Sequence, residues 1–140
     1  MAENFSNSSR TDLLERGIAY GKGLQLVNIL RDLPKDLKTG RCYLPVTNPH
    51  DRPVLLEAHA LWLKQARIWI SEGPRYAETL PPRRLRAATI LPALLAEETL
   101  DRLEAADWQM LEQRIKIPRS KVYRSLIEAF LTRPVRPAAD

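Results

Sequence analysis

The sequence predicts an all-α protein, on three observations. The strong helix formers Leu, Ala, Glu, Arg and Lys dominate the 140 residues, while Val and Thr are sparse and aromatic residues make up only 6%. Apolar residues recur at three- and four-residue spacing over stretches long enough for helices. Pro and Gly clusters punctuate those stretches, yet no internal repeat or linker divides the chain, and its length suits one domain with a core of its own.

Residues 1–11 are polar and read as a frayed or disordered N-terminus. Thr11 and Asp12 can cap a first helix, with Glu15 at capping-box spacing from Asp12. Leu13, Leu14, Ile18, Leu24, Leu26, Val27, Ile29 and Leu30 sustain that helix to about Asp32 and nearly encircle it, which predicts a buried helix. Gly17, Gly21 and Gly23 each weaken it by roughly 1 kcal/mol relative to Ala. Gly17 and Gly21 share a face, which suits close helix packing or room for a ligand. They are not a phosphate loop, because no strand precedes them and no GK[ST] follows.

Pro34 lacks a ladder donor and predicts a kink or restart. Gly40 is the C-cap candidate, Pro45 blocks continuation, and residues 46–53 read as a loop. A second helix spans about Val54–Ser71, with Leu55, Ala58, Leu61, Trp62, Ala66 and Trp69 at helical spacing. "EGPRY" and "LPPRR" break up the chain between residues 72 and 84. A third helix covers about Arg83–Ala105, bent at Pro92, and a last one about Ser120–Leu131. Residues 132–140 read as a disordered tail, leaving 12–131 as the domain.

The 22 Lys and Arg outnumber 17 Asp and Glu, giving a net charge of +5. A basic balance suits nucleic acid, anionic lipid or a phosphorylated ligand. The basic residues are interleaved with acids and form no dense stripe with stacking aromatics, so a solvated surface is expected and no nucleic-acid partner. One cysteine, Cys42, excludes an internal disulfide and suits a reducing compartment. "MAENFSNSSRTDLLERG" lacks the apolar core of a signal peptide, and runs such as "ATILPALLA" are too short to cross a bilayer. The expected location is cytoplasmic, with peripheral contact to the inner face of a membrane left open.

The chemistry concentrates in "QLVNILRDLPKDLKTGRCYLP", residues 25–45. At helical pitch Gln25, Asn28, Asp32 and Asp36 fall on one stripe about 80° wide. Asp32 and Asp36 one turn apart repel by roughly 0.2–0.5 kcal/mol in an isolated helix, and a divalent cation would reverse that sign. Mg²⁺ is held by one or two carboxylates, waters and the phosphate oxygens of a substrate. The stripe therefore reads as half of a Mg²⁺-diphosphate site, with Asn28 a neutral oxygen ligand and Gln25 a hydrogen-bonder. Arg31, Lys35, Lys38 and Arg41 lie close in sequence and could neutralise a diphosphate, the arginines by a bidentate fork.

The ordered set Gln25, Asn28, Arg31, Asp32, Asp36, Gly40, Arg41, Tyr43, Leu44 and Pro45 resembles the second aspartate-rich motif of the squalene/phytoene synthase family, the head-to-head prenyl synthases. "RIKIPRSKVYRSL" resembles the basic segment near the C-terminus of that family, so the resemblance extends over about residues 12–131. It implies an isoprenoid-synthase helical fold around an apolar cavity, here a partial one lacking the N-terminal helices. Two aspartate-rich motifs across its mouth would hold Mg²⁺ bound to farnesyl or geranylgeranyl diphosphate, whose loss of diphosphate permits condensation of two prenyl chains. NADPH would enter only in a squalene-forming member. By resemblance Asn28, Asp32 and Asp36 would be metal ligands, and Gln25 would lie near the reacting diphosphate. Arg31 and Arg41 would sit at the diphosphate end and Tyr43 at the cavity rim. Arg119 and Lys121 would be further phosphate contacts.

The departures set a second expectation. Only 24 residues precede Gln25, they contain Asp12 alone, and nowhere do the 140 residues supply a second D-x-x-x-D. Lys35 stands where many members carry an acid. A C-terminal half of a synthase is therefore expected, truncated or split and inactive alone. The alternative is a non-catalytic helical module pairing with a full-length synthase or another helical partner. Both leave Leu26, Ile29, Leu91 and Leu95 short of cover and predict self-association or a separate N-terminal half as partner. His50 reads as a loop residue, His59 as a helix-surface one, and neither has partners at metal-ligand spacing. Trp62 and Trp69 read as core, with the lining of a prenyl cavity as alternative, and "PPRRLR" as a solvated helix start or a lipid-headgroup contact.

Overall fold

The computed structural model describes residues 2–80, 83–113 and 119–131. They form six helices and, among the described residues, no strand, in agreement with the all-α expectation. In order these are α1 (Ala2–Lys38), α2 (Arg52–Ile70), α3 (Glu72–Glu78), α4 (Arg83–Ala105), α5 (Trp108–Glu112) and α6 (Arg119–Leu131).

α1 begins at Ala2, well before the caps expected at Thr11 and Asp12. No Pro or Gly precedes Gly17, and the cap candidates Thr11 and Asp12 are taken into a helix already under way. The helix also passes through Pro34 without restarting. It ends in the expected place: Gly40 has φ +77°, its N–H donates to Leu37 O at 3.0 Å, and that of Arg41 donates to Asp36 O at 2.8 Å. Those two bonds make a Schellman motif, which satisfies carbonyls the helix end would leave bare.

α2 starts two residues before the expected Val54, because Asp51 caps it through Oδ1 and Pro53 sits in its first turn. Its buried stripe is Leu55, His59, Leu63, Ala66 and Ile70. The expected stripe was rotated from this one: Leu61 is 66% exposed, while His59, read as a surface residue, is 5% exposed. Trp62 and Trp69 are partly buried against the core, in line with the packing reading. The short α3 and α5 were not expected. Pro74 lies within the first turn of α3, where a proline costs no ladder bond, and Asp107 caps α5 by accepting from Met110 N–H at 2.8 Å.

α1 is the centre of the assembly, packed on α2, α3, α4 and α5. Leu30, Leu33, Leu55, Ile70, Leu100 and Leu103 are fully buried between α1, α2 and α4. A Cβ on Gly23 would lie 2.9 Å from Trp69 Cβ and 3.0 Å from Ile70 N, so this glycine permits the close approach of α1 and α2. One on Gly17 would meet Tyr76 at 3.2 Å, whereas Gly21 faces open space and is not part of a packed pair. Of the residues expected to lack cover, Leu26 is buried, whereas Ile29, Leu91 and Leu95 are half-buried and only partly covered. The most exposed aliphatic side chains among the described residues include Leu14, Ile18, Leu61, Ile68 and Ile127. The expected tail, residues 132–140, lies outside the described residues.

Candidate functional site

Burial of Leu26, Val27, Leu30 and Leu33 fixes the rotation of α1 about its axis. The opposite stripe then faces out. Gln25, Asn28, Asp32 and Asp36 line one open groove of about 470 Å³ together with Leu24, Ile29 and Tyr43. Tyr43 reaches it because the Schellman turn reverses the chain and Leu44, 4% exposed, anchors the following residue in the core. Five of the site residues expected from the sequence therefore converge on one surface.

Arg31 and Arg41 behave differently. Arg31 turns to its neighbour, donating from Nε to Asp32 Oδ1 at 3.0 Å and from Nη2 to Oδ2 at 3.2 Å. This fork raises the pKa of the guanidinium further, mainly through the hydrogen bond to Asp32. Arg31 also lines a second, smaller hollow of about 220 Å³ with Asp32, Pro34, Lys35, Lys38, Leu111 and Glu112. Asp32 is thus the wall between an acidic groove and a mainly basic one. Among the described residues no side chain pairs with the Asp36 carboxylate. Arg41 is exposed and lines neither hollow. Lys121 is half-buried on α6, and the side chain of Arg119 lies outside the described residues.

Among the described residues no three His, Cys, Asp or Glu gather as a metal cage. Two carboxylates and an amide on an open groove do fit a hard cation that draws its remaining ligands from water and phosphate. No described helix is long and apolar enough to cross a membrane.

His59, on α2, lies against the backbone of the stripe. Pro34 leaves the carbonyl of Leu30 without its helical donor, and His59 Nε2 lies 3.2 Å from that oxygen in a buried contact. The signal was present in the sequence: a proline inside a helix, and a histidine at position 59 in register with Leu55, Leu63, Ala66 and Ile70. Burial lowers the pKa of the imidazole below its ordinary 6.5, with the bond to Leu30 acting in the opposite direction. The buried ring is therefore neutral near pH 7 and carries its proton on Nε2.

The family model described as squalene/phytoene synthase matches residues 1–121. Phytoene synthase 3, chloroplastic, of Zea mays is 28% identical over 150 aligned positions, which take in 96% of this chain. The chain spans 35% of the length of that relative. No solved structure matches the chain.

Proposed function

The chain belongs to the squalene/phytoene synthase family, and we propose that it supplies one of two metal-binding jaws for the head-to-head condensation of prenyl diphosphates. The observation that carries this reading is the convergence of Gln25, Asn28, Asp32, Asp36 and Tyr43 on a single groove. Mg²⁺, when bound, neutralises the diphosphate and eases its departure as a leaving group. Asp32, Asp36 and Asn28 would hold the ion by their oxygens, and Gln25 would donate its amide N–H to a diphosphate oxygen.

Arg31 has a particular part in this. A cation approaching Asp32 competes with the guanidinium fork already seated on that carboxylate. A displaced Arg31 carries two parallel N–H donors, the arrangement that grips a phosphate. Cation entry would then release a phosphate binder at the same step. Lys35 and Lys38, on the far side of Asp32, would add positive charge without reaching into the groove.

The 140 residues hold one D-x-x-x-D. Ionising a prenyl diphosphate depends on several charges placed around the leaving group beforehand. We therefore read turnover as requiring acidic ligands from outside these residues, and NADPH use as confined to a squalene-forming assembly. The non-catalytic module is the weaker reading, since packing alone gives no reason for like charges one turn apart on an open groove. Cytoplasmic location, with contact to a membrane face, remains part of the proposal and is checked by fractionating cells that express the chain.

Calorimetric titration with Mg²⁺ and inorganic pyrophosphate tests the jaw. The Asp32→Asn, Asp36→Asn double variant should bind at least about tenfold more weakly, since hard-cation affinity follows ligand charge. Equal binding by both proteins would remove the stripe from the mechanism. With Mg²⁺ and farnesyl diphosphate the chain alone should release no diphosphate; sustained turnover would show that one jaw suffices.

A further inference from the structure

Pro34 stands between Asp32 and Asp36 and has no N–H. The donor it lacks would have served the carbonyl four residues back, that of Leu30. Leu30 is fully buried, so solvent cannot supply a substitute, and a bare carbonyl there would cost the helix its continuity. His59 Nε2 meets that oxygen at 3.2 Å from the neighbouring helix. The imidazole is itself buried, flanked along α2 by Leu55 and Leu63. Asn28 and Asp32 lie before the break and Asp36 after it, and all three still line one groove.

We propose that His59 is a positioning residue for the aspartate stripe: its Nε2–H replaces the donor that Pro34 removes and keeps Asp36 in phase with Asn28 and Asp32. The histidine touches no substrate. Its effect is transmitted through the backbone, because a bend at Pro34 would swing Asp36 away from the oxygens upstream. The functional half of this proposal rests on the groove being a Mg²⁺-diphosphate site, whereas the helix-holding half does not.

Four variants of the chain test it: His59→Leu, His59→Gln, Pro34→Ala, and the Pro34→Ala, His59→Leu double. Two measurements are made on each: amide hydrogen exchange at residues 35–38 without ligand, and calorimetric affinity for Mg²⁺ with inorganic pyrophosphate. Losing the donor in His59→Leu should speed exchange about tenfold or more and weaken binding about tenfold, equivalent to about 1.4 kcal/mol. Gln, whose side-chain N–H reaches about as far as Nε2, should recover most of both. Pro34→Ala restores the missing backbone donor, so the double variant should lie within about twofold of Pro34→Ala alone. A His59→Leu protein that matches wild type, or a double variant as impaired as His59→Leu, would overturn the proposal. Should His59→Leu fail to fold, a double variant that also fails would make His59 a packing residue only. If exchange behaves as expected but wild type itself does not bind Mg²⁺-pyrophosphate, the site reading falls and the helix-holding role stands.

Discussion

Pro34 and Pro92 interrupt the two longest helices, of 37 and 23 residues, and each break has a polar side chain from another helix beside it. At the first, His59 Nε2 lies 3.2 Å from the Leu30 carbonyl, four residues before Pro34. At the second, the Tyr20 hydroxyl donates to the Thr89 carbonyl at 2.7 Å, three residues before Pro92. The one-residue difference matters. Proline removes the donor owed to the fourth carbonyl back, so His59 replaces a lost bond. The Thr89 carbonyl is owed the N–H of Ala93, not that of Pro92, and the Ala93 N–H itself lies against the Tyr20 hydroxyl, so Tyr20 does not stand in for the donor that Pro92 lacks. One break is repaired and the other is reinforced, and only the repaired one lies inside the candidate site.

The largest expected effect is at the repaired break. His59→Leu keeps the volume but leaves a buried carbonyl unpaired, which should cost up to about 3 kcal/mol in urea denaturation. Pro34→Ala should absorb most of that cost. Next comes the packing that seats Tyr20: a Cβ on Gly73 would lie 2.6 Å from Cε1 of its ring. Gly73→Ala should therefore cost about 2 kcal/mol, the range of an overpacked core. Tyr20→Phe should cost less, about 1 kcal/mol, and Pro92→Ala should leave that cost unchanged because the donor it restores belongs to a different carbonyl. Equal rescue by both proline substitutions would erase the distinction between the two breaks.

The smallest effects, and the most diagnostic, lie in pH. The folded-state pKa of His59 is lowered by burial from 6.5, so on acidification the unfolded chain takes up the proton first. The stability contributed by the neutral ring is complete above 6.5 and declines as pH falls through it. Tyr20 has the opposite sign: burial pushes its pKa up from 10.0 to about 12, so the unfolded chain loses its proton first. Its contribution is complete below pH 10.0 and declines as pH rises toward about 12. Between about pH 7.5 and about pH 5.5, wild type should lose more stability than His59→Gln. Parallel losses would show that the ring does not titrate on unfolding.

Much of this architecture was legible in residue spacing. The bounds of α4, the Gly40 stop and the facing of Gln25, Asn28, Asp32 and Asp36 follow from periodicity and turn chemistry, which are local. What was illegible depends on distant partners. The stripe on α2 was misjudged because a histidine counts as polar in any hydropathy pattern, and only the carbonyl of Leu30 explains its burial. The α1 start was misplaced because cap residues such as Thr11 and Asp12 announce a helix only when no helix arrives from upstream. The fork that Arg31 makes on Asp32 was equally hidden, because adjacent residues do not face each other at ideal helical pitch. α5 is five residues long, too short for periodicity to register.

The Schellman turn at Gly40 gives the groove a polarity of its own. It closes α1 just past Asp36, which puts Asp36 in the last turn of the helix and Asp32 one turn before it. Peptide dipoles there sum to a partial negative charge, which adds to the Asp36 carboxylate on the groove side, while Lys35 and Lys38 of the same turn line the hollow beyond Asp32. The field favours the cation as first arrival, with the diphosphate following as its counter-ion. Pyrophosphate titrated in a chelator should therefore bind far more weakly than pyrophosphate with Mg²⁺, and adding the metal second should recover the heat of the complete complex.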